Sequence, residues 1–274
     1  MSVRIKDKFQ ELKAKNETAF VAYICAGDPD LETSTKILNE VANYADIIEL
    51  GVPFSDPAGD GPVIEEASKR AIGKGMTLHK TIKMVESFRK TNISTPIILM
   101  GYYNSFLKYG LDQFFYEAQK IGIDGLIIVD LPLEERREVS SQLKNSDISL
   151  INLISPLSSE QRIAQIVDQQ YSSGFLYLVS MLGITGTKDA CAKDSIESLS
   201  KIKAASNIPV VIGFGIKDGK IAKDFKAINP DGIVVGSPIV KEVSAGVKNN
   251  LTSEKIIENV VNKTKEFYDA IKNN

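Results

Sequence analysis

Apolar positions along the chain follow two alternating patterns: short continuous runs, and longer stretches in which they recur every three or four residues. Ile5, Phe9 and Leu12 give residues 2–14 the spacing of a short amphipathic helix. The run Ala19–Cys25 then stops at Ala26-Gly27-Asp28-Pro29, the signature of a buried strand followed by a turn. Residues 31–44 set Ile37, Leu38, Val41 and Ala42 on one helical face, and a second strand carrying Glu49 follows. The alternation continues to the end of the chain. Strands are predicted near 96–100, 125–130, 149–154, 174–180, 208–213 and 232–236, and helices near 63–73, 78–91, 111–121 and 134–145. Ser158-Ser159-Glu160-Gln161 and Asp194-Ser195-Ile196-Glu197 each read as a capping box opening a further helix. The last helix shows Ile256, Ile257, Val260, Val261, Thr264, Phe267, Tyr268 and Ile271 at three- and four-residue steps.

Eight near-continuous apolar strands alternating with helices imply a parallel sheet covered on its outer side. Eight such units in 274 residues suit a closed (β/α)8 TIM barrel better than an open doubly wound sheet. The expected α/β architecture adds an extra N-terminal helix and a short extra helix after strand eight. No linker, composition shift or low-complexity segment cuts the chain, so residues 1–274 are expected to form one domain.

Composition narrows the function. Hydrophobic residues at 43% supply a sizeable core, and 33 Lys+Arg against 35 Asp+Glu leave no basic excess to suit nucleic acid. The two cysteines, Cys25 and Cys191, resemble neither a disulfide framework nor a metal pair, and reduced thiols are expected. The first residues lack the apolar core of a signal peptide, and no apolar run reaches membrane-spanning length. A cytoplasmic protein is expected. His79 is the only histidine, which disfavours His-rich metal sites and Ser-His-Asp chemistry. Proton transfer must then rest on carboxylates, tyrosines or lysines.

The candidate chemistry centres on residues 47–62. Glu49 shares one strand face with Ile47 and Gly51, while Asp46, Ile48 and Leu50 take the other. A carboxylate at a buried strand end is costly unless it is paired or used. Asp60 lies eleven residues on, in a loop stiffened by Pro53, Pro57 and Pro62 that is long enough to fold back toward Glu49. Two carboxylates in different settings suit proton transfer, since burial raises one pKa and solvation leaves the other ionised. The same residues also read as an ion-pair partner and a set of turns. In a barrel of this kind the site gathers at the C-terminal strand ends, where Asp130, Tyr102 and the loop after Ser180 also fall. Residues 181–193 are small and aperiodic, suiting a mobile lid or a loose connector. Gly213-Phe214-Gly215-Ile216 and Gly236-Ser237-Pro238-Ile239 end strands seven and eight, where backbone N–H groups and a following helix N-terminus form the usual phosphate site; simple tight turns are the other reading. Pro238 fits a first helical turn, which needs no N–H from it.

These residues resemble a known family. Glu49-Leu50-Gly51-Val52-Pro53-Phe54-Ser55-Asp56-Pro57 with Asp60-Gly61-Pro62 is similar to the signature of tryptophan synthase alpha subunits. Ala26-Gly27-Asp28-Pro29, Asp130-Leu131-Pro132, Gly183-Ile184-Thr185-Gly186, Gly213-Phe214-Gly215-Ile216 and Gly236-Ser237 fit in the same order, so the resemblance spans nearly the whole chain. It implies retro-aldol cleavage of indole-3-glycerol phosphate to indole and glyceraldehyde 3-phosphate, in the last steps of L-tryptophan biosynthesis. By that resemblance Glu49 is the acid/base residue that protonates the indole carbon bearing the side chain, and Asp60 receives the indole N–H. Tyr102 neighbours the catalytic acid, Tyr177 lines the indole pocket, Thr185 and Gly186 belong to the lid, and Gly186, Gly215, Gly236 and Ser237 cradle the phosphate. No cofactor or metal is implied on this chain. The family's partner is a beta subunit carrying pyridoxal phosphate, in an alpha2-beta2 assembly, facing the loop with Pro53 and Asp56 and the segment around Pro132.

Three positions depart from the commoner family pattern: Gly59 before Asp60, Val129 before Asp130, and Cys25 where a hydroxyl residue is common. None touches the carboxylates themselves, so they bear on rate or coupling rather than on reaction type. The nearest rival is another phosphate-binding barrel, an indoleglycerol phosphate synthase or a pentose-phosphate epimerase. The single histidine and the lack of a strand-end lysine (Lys217 lies past the glycines) disfavour both. A barrel kept only to bind and activate a partner is a rival of another class, against which intact Glu49 and Asp60 speak.

Overall fold

The computed structural model describes residues 2–168, 172–180 and 192–273. Its strands are β1 (Ala19–Cys25), β2 (Ile47–Gly51), β3 (Ile97–Gly101), β4 (Gly125–Ile128), β5 (Ser149–Leu150), β6 (Asn152–Ile154), β7 (Leu176–Val179), β8 (Val210–Gly213) and β9 (Gly232–Val235). Its helices are α1 (Val3–Ala14), α2 (Leu31–Val41), α3 (Pro62–Gly73), α4 (Leu78–Arg89), α5 (Tyr103–Tyr109), α6 (Leu111–Ile121), α7 (Arg137–Lys144), α8 (Glu160–Ile166), α9 (Ala192–Ala205), α10 (Gly219–Ala227), α11 (Ser237–Lys248) and α12 (Ser253–Lys272). Every residue of β1, β2, β3, β4, β8 and β9 is buried, because one strand face meets the barrel interior and the other meets the helices.

The sheet runs β5-β4-β3-β2-β1-β9-β8-β7-β6, with every pair parallel. Its two ends, β5 and β6, are separated in the chain only by Ile151. They are two halves of the predicted fifth strand: one half pairs with β4 and the other with β7, so the chain itself closes the ring. The barrel is therefore eight-membered, and β2 and β7 stand on opposite walls. Buried apolar side chains from strands and helices form one continuous cluster.

Helix α1 crosses the N-terminal ends of the strands. Phe9 packs against Phe175 with ring centroids 5.8 Å apart, and the Ser2 backbone N–H donates to Ser149 Oγ at 3.0 Å. Asp124, just before β4, accepts from Ser2 Oγ (2.7 Å), Arg4 Nη1 (3.0 Å), Arg89 Nη2 (2.7 Å) and the Ile97 N–H (2.9 Å). This buried charge is held by two arginines and two further donors, so its desolvation is offset at the end of the barrel away from the candidate site.

Several local expectations need correction. The helix expected near 134–145 is a 3-10 turn, Leu133–Glu135, followed by α7. The first capping box acts one residue late: Ser159 is the N-cap of α8 and accepts from the Arg162 N–H at 3.1 Å. The second is displaced outright, since α9 already begins at Ala192. The helix after β9 is not short but runs for 12 residues. Helices α5 and α10 lie outside the predicted set. Among their buried residues are only Phe106 in α5, and Ala222 and Phe225 in α10, too few to establish a helical period. Among the described residues, no helix is long and apolar enough to cross a membrane.

Candidate active site

Glu49 stands on β2 in register with Tyr23 of β1 and Ile98 of β3, and its side chain is 1% exposed. Among the described residues its Oε2 has no hydrogen-bond partner. Burial among the described residues pushes the carboxyl up to about 8, and the charge of Asp60 acts in the same direction. Two tyrosines face this carboxyl. Tyr23 lies with its hydroxyl against Gly51, where an added Cβ would come within 2.1 Å of Oη. Tyr177, on the opposite wall, lies in the same way against Gly213, again at 2.1 Å from an added Cβ. Both strand-end glycines are thus cut to the shape of a neighbouring tyrosine. Burial raises both phenols well above their ordinary range, with Glu49 and Asp60 contributing, so they remain neutral. The family resemblance implies Tyr177 at an indole pocket, whereas Tyr23 lies outside the predicted set; its one signal in the sequence is a lone phenol in the otherwise apolar run Ala19–Cys25.

Asp60 comes from the loop between β2 and α3. The Asp60 N–H donates to Pro57 O at 2.9 Å and the Ala58 N–H to Asp56 O at 2.8 Å, closing the tight turn that folds the loop back over the barrel mouth. Pro62 does not belong to that loop; it opens α3, where its missing N–H costs nothing. Tyr102, just past β3, accepts from the Gly59 N–H at 3.0 Å and donates its own proton to Asp60 Oδ2 at 3.2 Å. Phe54 stacks on the Tyr102 ring, centroids 5.0 Å apart and planes 17° from parallel. Tyr102 is therefore a neighbour of Asp60 by hydrogen bond. Burial raises Asp60 to about 6 while the Tyr102 bond pulls it down. Two carboxylates thus share one enclosure with separated affinities for a proton. Asp130 does not enter it. Its Oδ1 accepts from the Tyr103 N–H at 2.7 Å and fixes the start of α5.

The glycine-rich ends lie on the same rim. After β8, Phe214 and Gly215 adopt φ of 79° and 72°, a left-handed turn in which Phe214 is the strained member. Ser180 Oγ secures that turn by donating to Gly213 O (2.6 Å) and to Phe214 O. Gly236 is the N-cap of α11 and supplies no side-chain cap; Ser237 follows as the first helical residue. A helix start without a side-chain cap, with a serine hydroxyl beside it, is suited to an anion. Gly215 therefore follows β8 and Gly236 and Ser237 follow β9, at the ends where the sequence places the expected phosphate cradle. Thr185, Gly186 and Cys191 lie outside the described residues with most of the expected lid, whose last two residues, Ala192 and Lys193, instead open α9. Cys25 is buried, which raises its thiol far from reactivity. Among the described residues, no group of three or more His, Cys, Asp or Glu is placed to hold a metal ion.

Comparison with known proteins bears on the family and the fold. The family model described as tryptophan synthase alpha chain matches residues 9–272. A tryptophan synthase alpha chain from Caulobacter sp. (strain K31) is 42% identical over 270 residues, covering 98% of this chain and 96% of the relative. Among solved structures, tryptophan synthase subunit alpha from Legionella pneumophila str. Paris superposes with a TM-score of 0.88 at 33% identity, covering 99% of this chain and 98% of the other. A tryptophan synthase structure from Mycobacterium tuberculosis gives 0.88 at 29% identity with both chains covered in full.

Proposed function

Because the chain belongs to the tryptophan synthase alpha chain family, we propose that Glu49 and Asp60 carry its reaction, the cleavage of indole-3-glycerol phosphate to indole and glyceraldehyde 3-phosphate. The observation that supports this most is the Glu49 carboxyl, enclosed, unpartnered at Oε2 among the described residues and raised to about 8 beside the less perturbed Asp60.

Breaking the bond between the indole ring and the glycerol chain needs a proton on the ring carbon and removal of a proton from the neighbouring hydroxyl. At pH 7 a carboxyl titrating near 8 is protonated by roughly ten to one, so Glu49 enters the reaction as the acid. It gives its proton to the ring carbon that bears the side chain. The ring nitrogen then carries positive charge, and Asp60, mostly ionised above about 6, accepts the indole N–H and stabilises that charge. The carboxylate left on Glu49 takes the hydroxyl proton; the carbon–carbon bond breaks, its electrons return to the ring, and the aldehyde forms. Glu49 ends protonated, as it began. Tyr177 and Tyr23 wall the ring site as neutral phenols, and Tyr102 holds Asp60 in place. Gly215, Gly236 and Ser237 receive the phosphate, with Thr185 and Gly186 closing over it by family resemblance.

The same reading makes residues 1–274 one barrel domain in the cytoplasm, the alpha subunit of an alpha2-beta2 assembly. The chemistry on this chain is that of two carboxylates, and pyridoxal phosphate belongs to the beta subunit. Asp56 and Pro132 are exposed and free to meet that partner, whereas Pro53 is buried and shapes the loop from within. The test is indole release from indole-3-glycerol phosphate by the chain alone and then with a beta subunit added. Glu49→Gln should lower release about a thousandfold or more and Asp60→Asn about 10²–10³-fold, with partner binding kept. Unchanged cleavage by Glu49→Gln would overturn the assignment.

A further inference from the structure

Gly59 is not among the residues whose backbone demands glycine, since its φ lies outside the left-handed region. Something else fixes its size. A Cβ there would lie 2.8 Å from Val129 Cγ1 and 3.3 Å from Tyr102 Oη, the first distance well inside contact. Val129 is half-buried, but its backbone is held in place. Its N–H donates to Gly101 O at 2.9 Å, and the next residue, Asp130, accepts from the Tyr103 N–H at 2.7 Å. Both bonds tie Val129 to the segment that carries Tyr102, and a β-branched side chain has few rotamers to offer. A group added at residue 59 therefore displaces the loop and leaves the wall in place.

That loop carries the Gly59 N–H bonded to Tyr102 Oη and, one residue on, the Asp60 carboxylate bonded to the same hydroxyl. We propose that Gly59 and Val129 are a fitted pair of positioning residues that seat Asp60 for the reaction, the absent side chain at one position making room for the branched one at the other. Neither touches substrate; they act through Tyr102 and Asp60. The proposal deepens, and rests on, the role assigned above to Asp60. The two positions noted in the sequence as departures from the family pattern are here one contact.

The test is a double-mutant cycle on the full chain: unmodified, Gly59→Ala, Val129→Ala and the double variant, with Asp60→Asn as a reference. The quantities read are kcat and KM for indole release and the pH dependence of kcat/KM. Misplacing a charge-stabilising group by a fraction of an ångström costs on the order of tenfold. Gly59→Ala should lower kcat by about that much, with KM moving less than about threefold because the phosphate cradle is elsewhere. Its acid limb should rise as the Tyr102–Asp60 bond loosens, and adding Val129→Ala should restore kcat to within about threefold of the unmodified chain. Thermal melts confirm that each variant is folded. Gly59→Ala within about twofold of the unmodified chain, or a double variant no faster than Gly59→Ala, would overturn the pairing. Should Asp60→Asn cleave normally, the role of Asp60 fails first; should it be inactive while the cycle is additive, only the pairing fails.

Discussion

Glu49→Gln should make the protein inactive and, at neutral pH, more stable. In the unfolded chain a glutamate titrates near its ordinary 4.5, whereas in the fold Glu49 titrates at about 8. Below 4.5 both states hold the proton and no penalty applies. As pH rises from there, the unfolded chain loses the proton that the folded chain retains, so folding must take one up. Stability therefore falls with pH by about 1.4 kcal/mol per pH unit and levels off only above about 8. Between about pH 5.5 and pH 7.5 the unmodified chain should lose about 2–3 kcal/mol that the glutamine variant keeps. The buried amide adds an offset of its own that does not depend on pH. Asp60 and other groups titrating in this range are common to both proteins, so the difference between the curves isolates Glu49. Urea unfolding of both proteins at several pH values in this window measures it, with reversibility checked at each. Parallel stability curves would refute the reasoning, because they would mean that Glu49 ionises freely in the fold and is not the enclosed acid described above.

Removing the Tyr102 hydroxyl by Tyr102→Phe takes from Asp60 the bond that lowers its pKa. The acid limb of kcat/KM should move above about 6, and activity should fall by roughly three- to tenfold, more at low pH than near neutrality. Arg89→Met strips the buried Asp124 of one of its two cations, along with bonds to Gly122, Thr95 and Asn92 carbonyls. Urea denaturation should report a loss of about 3–5 kcal/mol, while indole release per folded molecule stays within about twofold, because the cluster lies at the opposite end of the barrel. Equal stability for this variant would mean that Arg89 does not offset the desolvation of Asp124.

Much of the molecule was legible in the order of its residues. A strand buried on both faces must be apolar throughout, and a helix against it must be apolar on one side only, so the eight strands and most of the helices between them follow from one-dimensional spacing, α5 and α10 excepted. Glu49 stood out because a carboxylate in an apolar run conflicts with its surroundings, and Asp60 because prolines and glycines bracket it. The strand-end glycines were legible for the same local reason. What only the tertiary structure decided are relations between distant segments. Ile151 parts one strand into two halves that pair with different neighbours, a consequence of closing the ring that no local pattern encodes. Tyr23 and Tyr177 face one carboxyl from different walls, and Gly51 and Gly213 are small because of those tyrosines. Gly59 is small because of Val129, seventy residues away in the chain. Local propensity depends on near neighbours, whereas the fit of a side chain, and the pKa its enclosure imposes, depend on whatever the closed barrel brings against it.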